Sequence, residues 1–189
     1  MRTRIMQAAV EAMQEHGIRF TMSDLARRLA VSKSTLYAYF SSKEALVGAI
    51  LEAIAADIQK QQEEKIQSSS TSLPEKLRAM LATFPKTIGP LNDRIIDDIR
   101  RHMPNEWTKI EKFRHSRWLI TEQLLQQGIA CGLLRPVNLA IVRAMLFGTI
   151  DELANYQFLV QNNLTFRDAL TTVADILVNG LATGQNKEE

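Results

Sequence analysis

The segment from Thr21 to Glu44, TMSDLARRLAVSKSTLYAYFSSKE, restricts the fold more than any other part of the chain. Its pattern predicts two short helices separated by a tight turn over residues 30–32, and the second helix is polar and aromatic. Its proportions are typical of a helix-turn-helix, which places its second helix in the major groove of DNA. Residues at helical spacing predict the side that packs into a core: Leu25, Leu29, Leu36 and Phe40.

Both predicted helices begin at residues that can cap a helix. The hydroxyl of Thr21 can accept from the backbone three residues on, where Asp24 can return a hydrogen bond. Ser32 can cap the second helix in the same way. These signals fix where the two helices start.

The rest of the chain predicts an all-α protein of about nine helices. Hydrophobic residues make up 46% of the 189 residues, so a sizeable core can form, and helix formers far outnumber the eight glycines and five prolines. We predict a three-helix helix-turn-helix domain over residues 1–46, with a fourth helix from residue 43 leading on, and a larger helical domain over residues 47–189. One long helix is expected from Pro136 to about Val160, and a last one ends near Leu181.

Several function classes are disfavoured by composition. The single Cys131 excludes an intramolecular disulfide and suits a reducing cytosol. No signal peptide or membrane-spanning run is evident, so a cytoplasmic protein is expected. No nucleophile stands beside a general base, and His102 and His115 give only a weak metal signal. We therefore expect neither an enzyme, nor a metal site, nor a cofactor.

The charge distribution favours a nucleic-acid partner for the N-terminal part. Residues 1–48 contain seven Lys or Arg and four Asp or Glu, whereas the remainder contains 16 basic and 17 acidic residues. The positive excess therefore lies at the same end as the helix-turn-helix pattern, as binding to phosphates requires.

From Ile5 to Leu46 the chain resembles the TetR family of bacterial transcriptional regulators. The match is an apolar first helix ending in glycine, a Thr-led second helix, a short turn, and then Leu-Tyr-x-Tyr-Phe and Lys-Glu-x-Leu. The residues that match are Ile5, Ala8, Ala9, Gly17, Thr21, Ala26, Val31, Ser32, Leu36, Tyr37, Tyr39, Phe40, Lys43, Glu44, Ala45 and Leu46. Beyond Leu46 the match is only one of helix count and order.

Two positions depart from the family pattern. Ala30 and Ser34 stand where glycine is common in the family. Glycine at the first position relieves a left-handed backbone. Ala30 therefore implies either a right-handed turn or a strain of about 1 kcal/mol.

The resemblance implies a set of DNA contacts around the second helix of the motif. Lys33 could reach a guanine and the paired tyrosines could bind phosphates or bases, whereas the alternative reading is a solvated lysine, capping hydroxyls and half-buried aromatic rings. The expected contact residues are Thr21, Ser23, Lys33, Ser34, Thr35, Tyr37, Ala38, Tyr39 and Lys43.

The resemblance also implies a homodimer that binds a palindromic operator on double-stranded DNA. Apolar stripes on the last two long helices are the expected interface, although they could instead pack only within one chain. The stripe residues are Val142, Leu146, Ile150, Leu153, Leu170, Val173, Ala174, Leu177, Val178 and Leu181.

A small apolar or amphipathic effector is expected to bind among the middle helices and to release a repressor from its operator. Methionines and aromatic residues form adaptable apolar walls, although for any one of them an ordinary core position is the alternative. The candidates are Met80, Phe84, Ile88, Ile99, Met103, Trp107, Phe113, Trp118, Met145, Phe147 and Tyr156. The charged residues nearby, Asp97 and Arg117 among them, are expected to form a solvated face.

Two other classes compete with this interpretation. An enzyme would need a positioned nucleophile and base, which the sequence does not offer. A helical adaptor without a DNA role would not explain why Lys33, Tyr37, Tyr39 and Lys43 cluster beside two helix N-termini.

Overall fold

The computed structural model describes residues 1–86 and 91–183, and this part is all-α. It contains ten α-helices and one 3₁₀ turn, with no β-structure beyond an isolated bridge between Leu134 and Ala182. In chain order these are α1 Arg2–His16, the 3₁₀ turn Gly17–Arg19, α2 Met22–Leu29, α3 Lys33–Tyr39, α4 Lys43–Gln67, α5 Leu73–Leu81, α6 Asp93–His102, α7 Pro104–Ala130, α8 Leu139–Leu153, α9 Tyr156–Gln161 and α10 Phe166–Leu181. The predicted fold class is confirmed.

The helices form two compact units, and neither unit is continuous in sequence. The first unit consists of Met1–Asp57 and Pro85–Phe113, and the second of Ile58–Phe84 and Arg114–Glu189. This division differs from the expected boundary after residue 46, because α6 and the start of α7 belong with the N-terminal helices. The functional division at residue 46 stays a prediction.

In the first unit, α1, α2 and α3 enclose the core that the sequence predicts. Leu25, Leu29, Leu36 and Phe40 are all buried, together with Phe20. Arg28 on α2 pairs with Glu11 and Glu15 on α1. The three short helices are therefore held by a shared apolar core and by ion pairs at its edge.

Helix α6 packs against the 3₁₀ turn within the first unit. Gly17 has a φ of 62°, and a Cβ added there would lie 3.3 Å from Oδ2 of Asp98 on α6. The neighbouring Asp97 is buried and accepts from Arg100 and Arg101, each at 2.9 Å. The expectation that Asp97 lies on a solvated face is wrong, because its two arginine partners allow it to be buried.

Ala30, at the end of α2, adopts a left-handed conformation with φ 53° and ψ 43°. Its backbone N–H donates to the carbonyls of Ala26 and Arg27 and so closes the helix. Of the two expected geometries, the turn therefore has the left-handed one. This conformation is strained, because the methyl group of Ala30 crowds the following carbonyl.

Ala30→Gly is expected to raise the free energy of unfolding by about 1 kcal/mol, since glycine adopts this conformation without strain. The Ala30 side chain is exposed, so no buried contact is lost. Urea unfolding followed by circular dichroism measures the effect. Ala38→Gly is the matched control: Ala38 is exposed inside α3, and its loss should lower stability by about 1 kcal/mol. If both variants changed the free energy of unfolding in the same direction, the strain at Ala30 would be contradicted.

In the second unit the core lies among α5, α7, α8 and α10. It buries Leu77, Met80, Trp118, Leu124, Leu125, Leu134, Val142, Leu146, Val178 and Leu181. Arg117 on α7 is also buried, and its Nε donates to Oε1 of Gln62 at 2.8 Å. The expectation that Arg117 is solvated is therefore wrong, and its burial lowers the pKa of the guanidinium.

The single helix expected from Pro136 to about Val160 is two helices in the structure. It starts later, at Leu139, where Asn138 accepts from the N–H of Ala140 at 3.0 Å. It then stops at Leu153, and the side chain of Asn155 caps α9 by accepting from Gln157 N–H at 3.2 Å. Each asparagine accepts from a first-turn N–H that has no partner within its helix, so Asn138 marks the start of α8 and Asn155 the start of α9.

The stripe predicted as the dimer interface lies within the protomer. Most of its side chains are buried: Val142, Leu146, Leu153, Leu170, Ala174, Val178 and Leu181. Ile150, Val173 and Leu177 pack against the same core. Seven of the ten residues are therefore covered within one chain, as the alternative reading expects, whereas Ile150, Val173 and Leu177 are only partly buried. The interface itself stays a prediction.

Candidate nucleic-acid interface

Helix α3 has one buried side and one exposed side, which follow from its apolar spacing. Leu36, together with Phe40 just after the helix, faces the core. Lys33, Ser34, Tyr37, Ala38 and Tyr39 are exposed. Tyr37 and Tyr39 are 49% and 42% exposed, which is unusual for large aromatic side chains. The helix therefore presents a basic, hydroxyl-bearing and aromatic surface to solvent.

Three hydroxyl groups meet at the N-terminus of α3. The Oγ of Ser32 accepts from Thr35 N–H at 3.1 Å and lies 2.8 Å from both Ser34 Oγ and Thr35 Oγ1. This cluster satisfies helix donors that would otherwise be free. Thr35 is half-buried and its hydroxyl is used in the cap, whereas Ser34 is exposed.

At the start of α2, the side chain of Thr21 is occupied by a capping box. Its Oγ1 donates to Asp24 Oδ2 at 2.6 Å and accepts from Asp24 N–H at 3.2 Å. The hydroxyl of Thr21, and its backbone N–H at 3.2 Å, both donate to the Asp24 carboxylate and so lower its pKa. The predicted cap is confirmed, and Ser23 lies half-buried beside it.

Lys43 lies in the first turn of α4 and is half-buried. Its Nζ donates to the carbonyl of Ile18 at 2.9 Å and lies 5.7 Å from the centre of the Phe20 ring. The lysine therefore ties α4 to the 3₁₀ turn. An ammonium carries three donors, so this bond leaves others for a phosphate.

One residue of this region was missed from the sequence. Arg2 of α1 donates from Nη1 to the carbonyl of Tyr39 at 3.2 Å, and its guanidinium lies 4.3 Å from the centre of the Phe40 ring. Because 37 positions separate Arg2 from Tyr39 and the helix spacing does not encode such a contact, no local signal could have found it.

The predicted effector residues are divided between the two units. Ile99, Met103, Trp107 and Phe113 belong to the first unit, whereas Met80, Phe84, Trp118, Met145, Phe147 and Tyr156 belong to the second. Ile88 lies outside the described residues. Met145 and Tyr156 are exposed, so they do not line an interior cavity of one protomer.

Within the second unit, α7 and α8 border a hollow of about 330 Å³. Trp118 and Phe147 meet there edge to face, with ring centres 6.2 Å apart. Arg143 lies 5.3 Å from the centre of the Phe147 ring and 2.9 Å from His115 Nδ1. The other lining residues are Glu122, Leu139, Ala140 and Ala144. The hollow thus combines an aromatic wall with one cation and one anion.

Two features are absent from the described part of the chain. Across residues 1–86 and 91–183, no group of three or more His, Cys, Asp or Glu side chains could hold a metal ion. In the same ranges no helix combines the length and apolar character needed to cross a bilayer.

An apolar face of the second unit is left open to solvent. On α8, Ile141 and Met145 are each 59% exposed, and on α10, Ile176 is 67% exposed. Gly148 and Gly180 lie on the same two helices, and a Cβ added at either would meet nothing within 4 Å. This face is adjacent to the predicted stripe but is formed by different residues.

Comparison with known proteins identifies the N-terminal part. Residues 5–50 match the family described as bacterial regulatory proteins, tetR family. An uncharacterised HTH-type transcriptional regulator of Bacillus subtilis, YvaF, is 27% identical, and the match covers 100% of this chain and 99% of that protein. The fatty acid metabolism regulator protein of Bacillus subtilis is 26% identical over 94% of each chain.

A solved structure matches the fold over nearly the full length. The transcriptional regulator FadR from Bacillus subtilis, determined in complex with stearoyl-CoA, has a TM-score of 0.63 and 21% sequence identity. The match covers 96% of this chain and 100% of that one. The chain is thus similar over its whole length to transcriptional regulators. Its residues 5–50, which include the exposed basic and aromatic side of α3, carry the DNA-binding domain of the tetR family of bacterial regulatory proteins.

Proposed function

We propose that the protein is a repressor that binds a palindromic operator as a homodimer and is released by an amphipathic small molecule. The observation that carries the DNA-binding part is the exposed surface of α3, where Lys33, Tyr37 and Tyr39 face solvent while Leu36 is buried. A regulator of this kind acts where the chromosome is, in the bacterial cytoplasm.

The proposed contacts fall into two groups. Ser34, Ala38 and Lys33 are small or flexible and exposed, so they suit base edges in the major groove. Tyr37, Tyr39 and Lys43 suit phosphates, as does the start of α2 at Thr21 and Ser23. Thr35 contributes mainly by capping α3, because its hydroxyl bonds Ser32.

The proposed dimer uses the open face of α8 and α10 in place of the buried stripe. Exposed apolar surface that association would bury is supplied by Ile141, Met145 and Ile176. Gly148 and Gly180 have open space where a Cβ would lie, so nothing within the protomer requires their small size. A closely approaching partner helix supplies a reason for both.

For the effector we propose a long-chain acyl-CoA or a related anionic amphiphile. The comparisons support this class, since they match the fatty acid metabolism regulator protein of Bacillus subtilis and a Bacillus subtilis FadR structure determined with stearoyl-CoA. The hollow beside Trp118 and Phe147 offers apolar contact, and Arg143 offers a cation for an anionic group. Its volume suits part of such a molecule.

Release follows if the effector binds more tightly to the state that does not bind the operator. The ratio of the effector's affinities for the two states sets the largest shift in operator affinity that the effector can cause. A ligand with equal affinity for both states would change nothing, however tightly it bound.

The test begins with operator selection from a random duplex library by the full chain. Fluorescence anisotropy then measures operator affinity with palmitoyl-CoA, stearoyl-CoA, free coenzyme A or stearate. We expect the acyl-CoAs to weaken operator binding by about tenfold or more, which corresponds to a coupling of about 1.4 kcal/mol.

Free coenzyme A and stearate separate the contributions of the two halves of the ligand. No effect from any acyl-CoA would refute this effector class, and tighter operator binding would refute the release mechanism. Phe147→Ala should reduce the response to acyl-CoA while operator binding by the ligand-free protein is retained, because Phe147 lies in the second unit.

A further inference from the structure

We infer that Arg2 is a positioning residue for operator recognition, and that it acts by holding the C-terminal end of α3. The guanidinium donates to the carbonyl of Tyr39 at 3.2 Å and stacks over the Phe40 ring at 4.3 Å. It thus contacts the residue at the end of the helix and the residue after it. The inference rests on α3 being the helix that reads DNA.

The short length of α3 explains why such a contact matters. The helix spans only Lys33–Tyr39, and Leu36 is its one buried residue. Helices this short are not stable on their own, so their orientation depends on tertiary contacts. Ser32 caps the N-terminal end of α3, and Arg2 hydrogen-bonds to its C-terminal end.

The chemistry of the contact favours arginine in particular. A cation near the last carbonyls of a helix is stabilised by the helix dipole. The planar guanidinium can hydrogen-bond to a carbonyl and stack on an aromatic ring together, whereas a lysine ammonium is a compact point charge. Because Tyr39 carries an exposed side chain, the bond to its carbonyl also fixes the backbone from which that side chain projects.

Arg2 is itself exposed, so direct contact with a DNA phosphate is the competing explanation. The two explanations predict different salt dependence. Loss of one phosphate contact lowers the slope of log affinity against log salt by about 0.9 and weakens all duplexes alike. Loss of positioning weakens the operator more than an unrelated duplex and leaves the slope unchanged.

The experiment compares Arg2→Ala, Arg2→Lys and the control Arg4→Ala in the full chain. Arg4 is also exposed, two positions along the same helix. Anisotropy is measured with the operator selected by the wild-type protein and with an unrelated duplex, at four salt concentrations. We expect Arg2→Ala to weaken operator binding about fivefold, on the scale of a cation–π contact. Arg2→Lys should fail to restore it, and Arg4→Ala should lower both affinities equally.

Full rescue by Arg2→Lys, a reduced salt slope, or an equal loss on both duplexes would overturn the inference in favour of a phosphate contact. No loss at all would overturn it outright. Thermal unfolding of each variant checks the fold, and because Arg2→Lys keeps the charge, it provides a second variant if Arg2→Ala is unstable. If Tyr37→Ala also bound the operator normally, the premise that α3 reads DNA would fail instead.

Discussion

Tyr37→Ala is expected to lower operator affinity about 10- to 50-fold, because it removes both a hydroxyl that can reach a phosphate and an aromatic contact surface. Tyr37 is 49% exposed, whereas its neighbour Leu36 is buried. The substitution should therefore change the free energy of unfolding by less than about 0.5 kcal/mol. Anisotropy with the selected operator measures the affinity, and urea unfolding measures the stability.

Tyr37→Phe divides the effect between hydroxyl and ring. If the hydroxyl binds a phosphate, Tyr37→Phe alone should lose most of the affinity. Tyr156→Ala is the control, since it removes another exposed tyrosine from the second unit and should leave operator binding intact. Unchanged operator affinity in Tyr37→Ala would contradict the proposed interface.

Ile176→Glu is expected to convert the proposed dimer to a monomer. Ile176 is 67% exposed in one protomer, so glutamate is tolerated in the separate chain. In a two-fold symmetric interface the change introduces two carboxylates at once, and burying each without a partner costs several kcal/mol. The dimer dissociation constant should rise at least about 100-fold, as sedimentation equilibrium measures. Operator affinity should fall with it, because a monomer binds one half-site.

Leu133→Glu is the matched control for this prediction. Like Ile176, Leu133 is an exposed aliphatic side chain, at 47%, but it lies in the turn after α7. The same change of charge there should leave the dimer intact. A dimeric Ile176→Glu protein would mean that the open face of α8 and α10 is not the interface.

The helix-turn-helix could be predicted from sequence because its signals are local. Capping residues such as Thr21 and Ser32 act within three positions, and the spacing of Leu36 and Phe40 defines one side of one short helix. The left-handed backbone at Ala30 is different. Alanine disfavours that conformation, so only its neighbours in the fold could reveal it.

The sequence could not separate the side of each long helix that packs inside the protomer from the side that is left open to solvent. An apolar stripe on a helix shows that one side is buried but does not show against what, and α8 and α10 each have apolar residues on two sides. Val142 and Leu146 pack inside the protomer, whereas Ile141 and Met145 remain exposed. Sequence periodicity does not show which of the two apolar sides is buried within the protomer. That depends on which other helices, here α5 and α7, pack against it.

Burial of charge was also beyond the sequence. Asp97 and Arg117 resemble any other surface charges along a polar helix face. Their burial depends on partners, which are Arg100 and Arg101 for the first and Gln62, 55 positions away, for the second. Distant partners of this kind determine which charges a fold can bury.

The discontinuous first unit limits how this regulator can be recombined with others. Helix α6 and the start of α7 complete the N-terminal unit, and Asp98 packs against the turn at Gly17. A chimera that joined residues 1–57 to a foreign sensor would leave that turn without its own covering helix. Transferring the first unit to another protein therefore requires residues 85–113 as well. The part that can be exchanged consists of two separate segments of the chain.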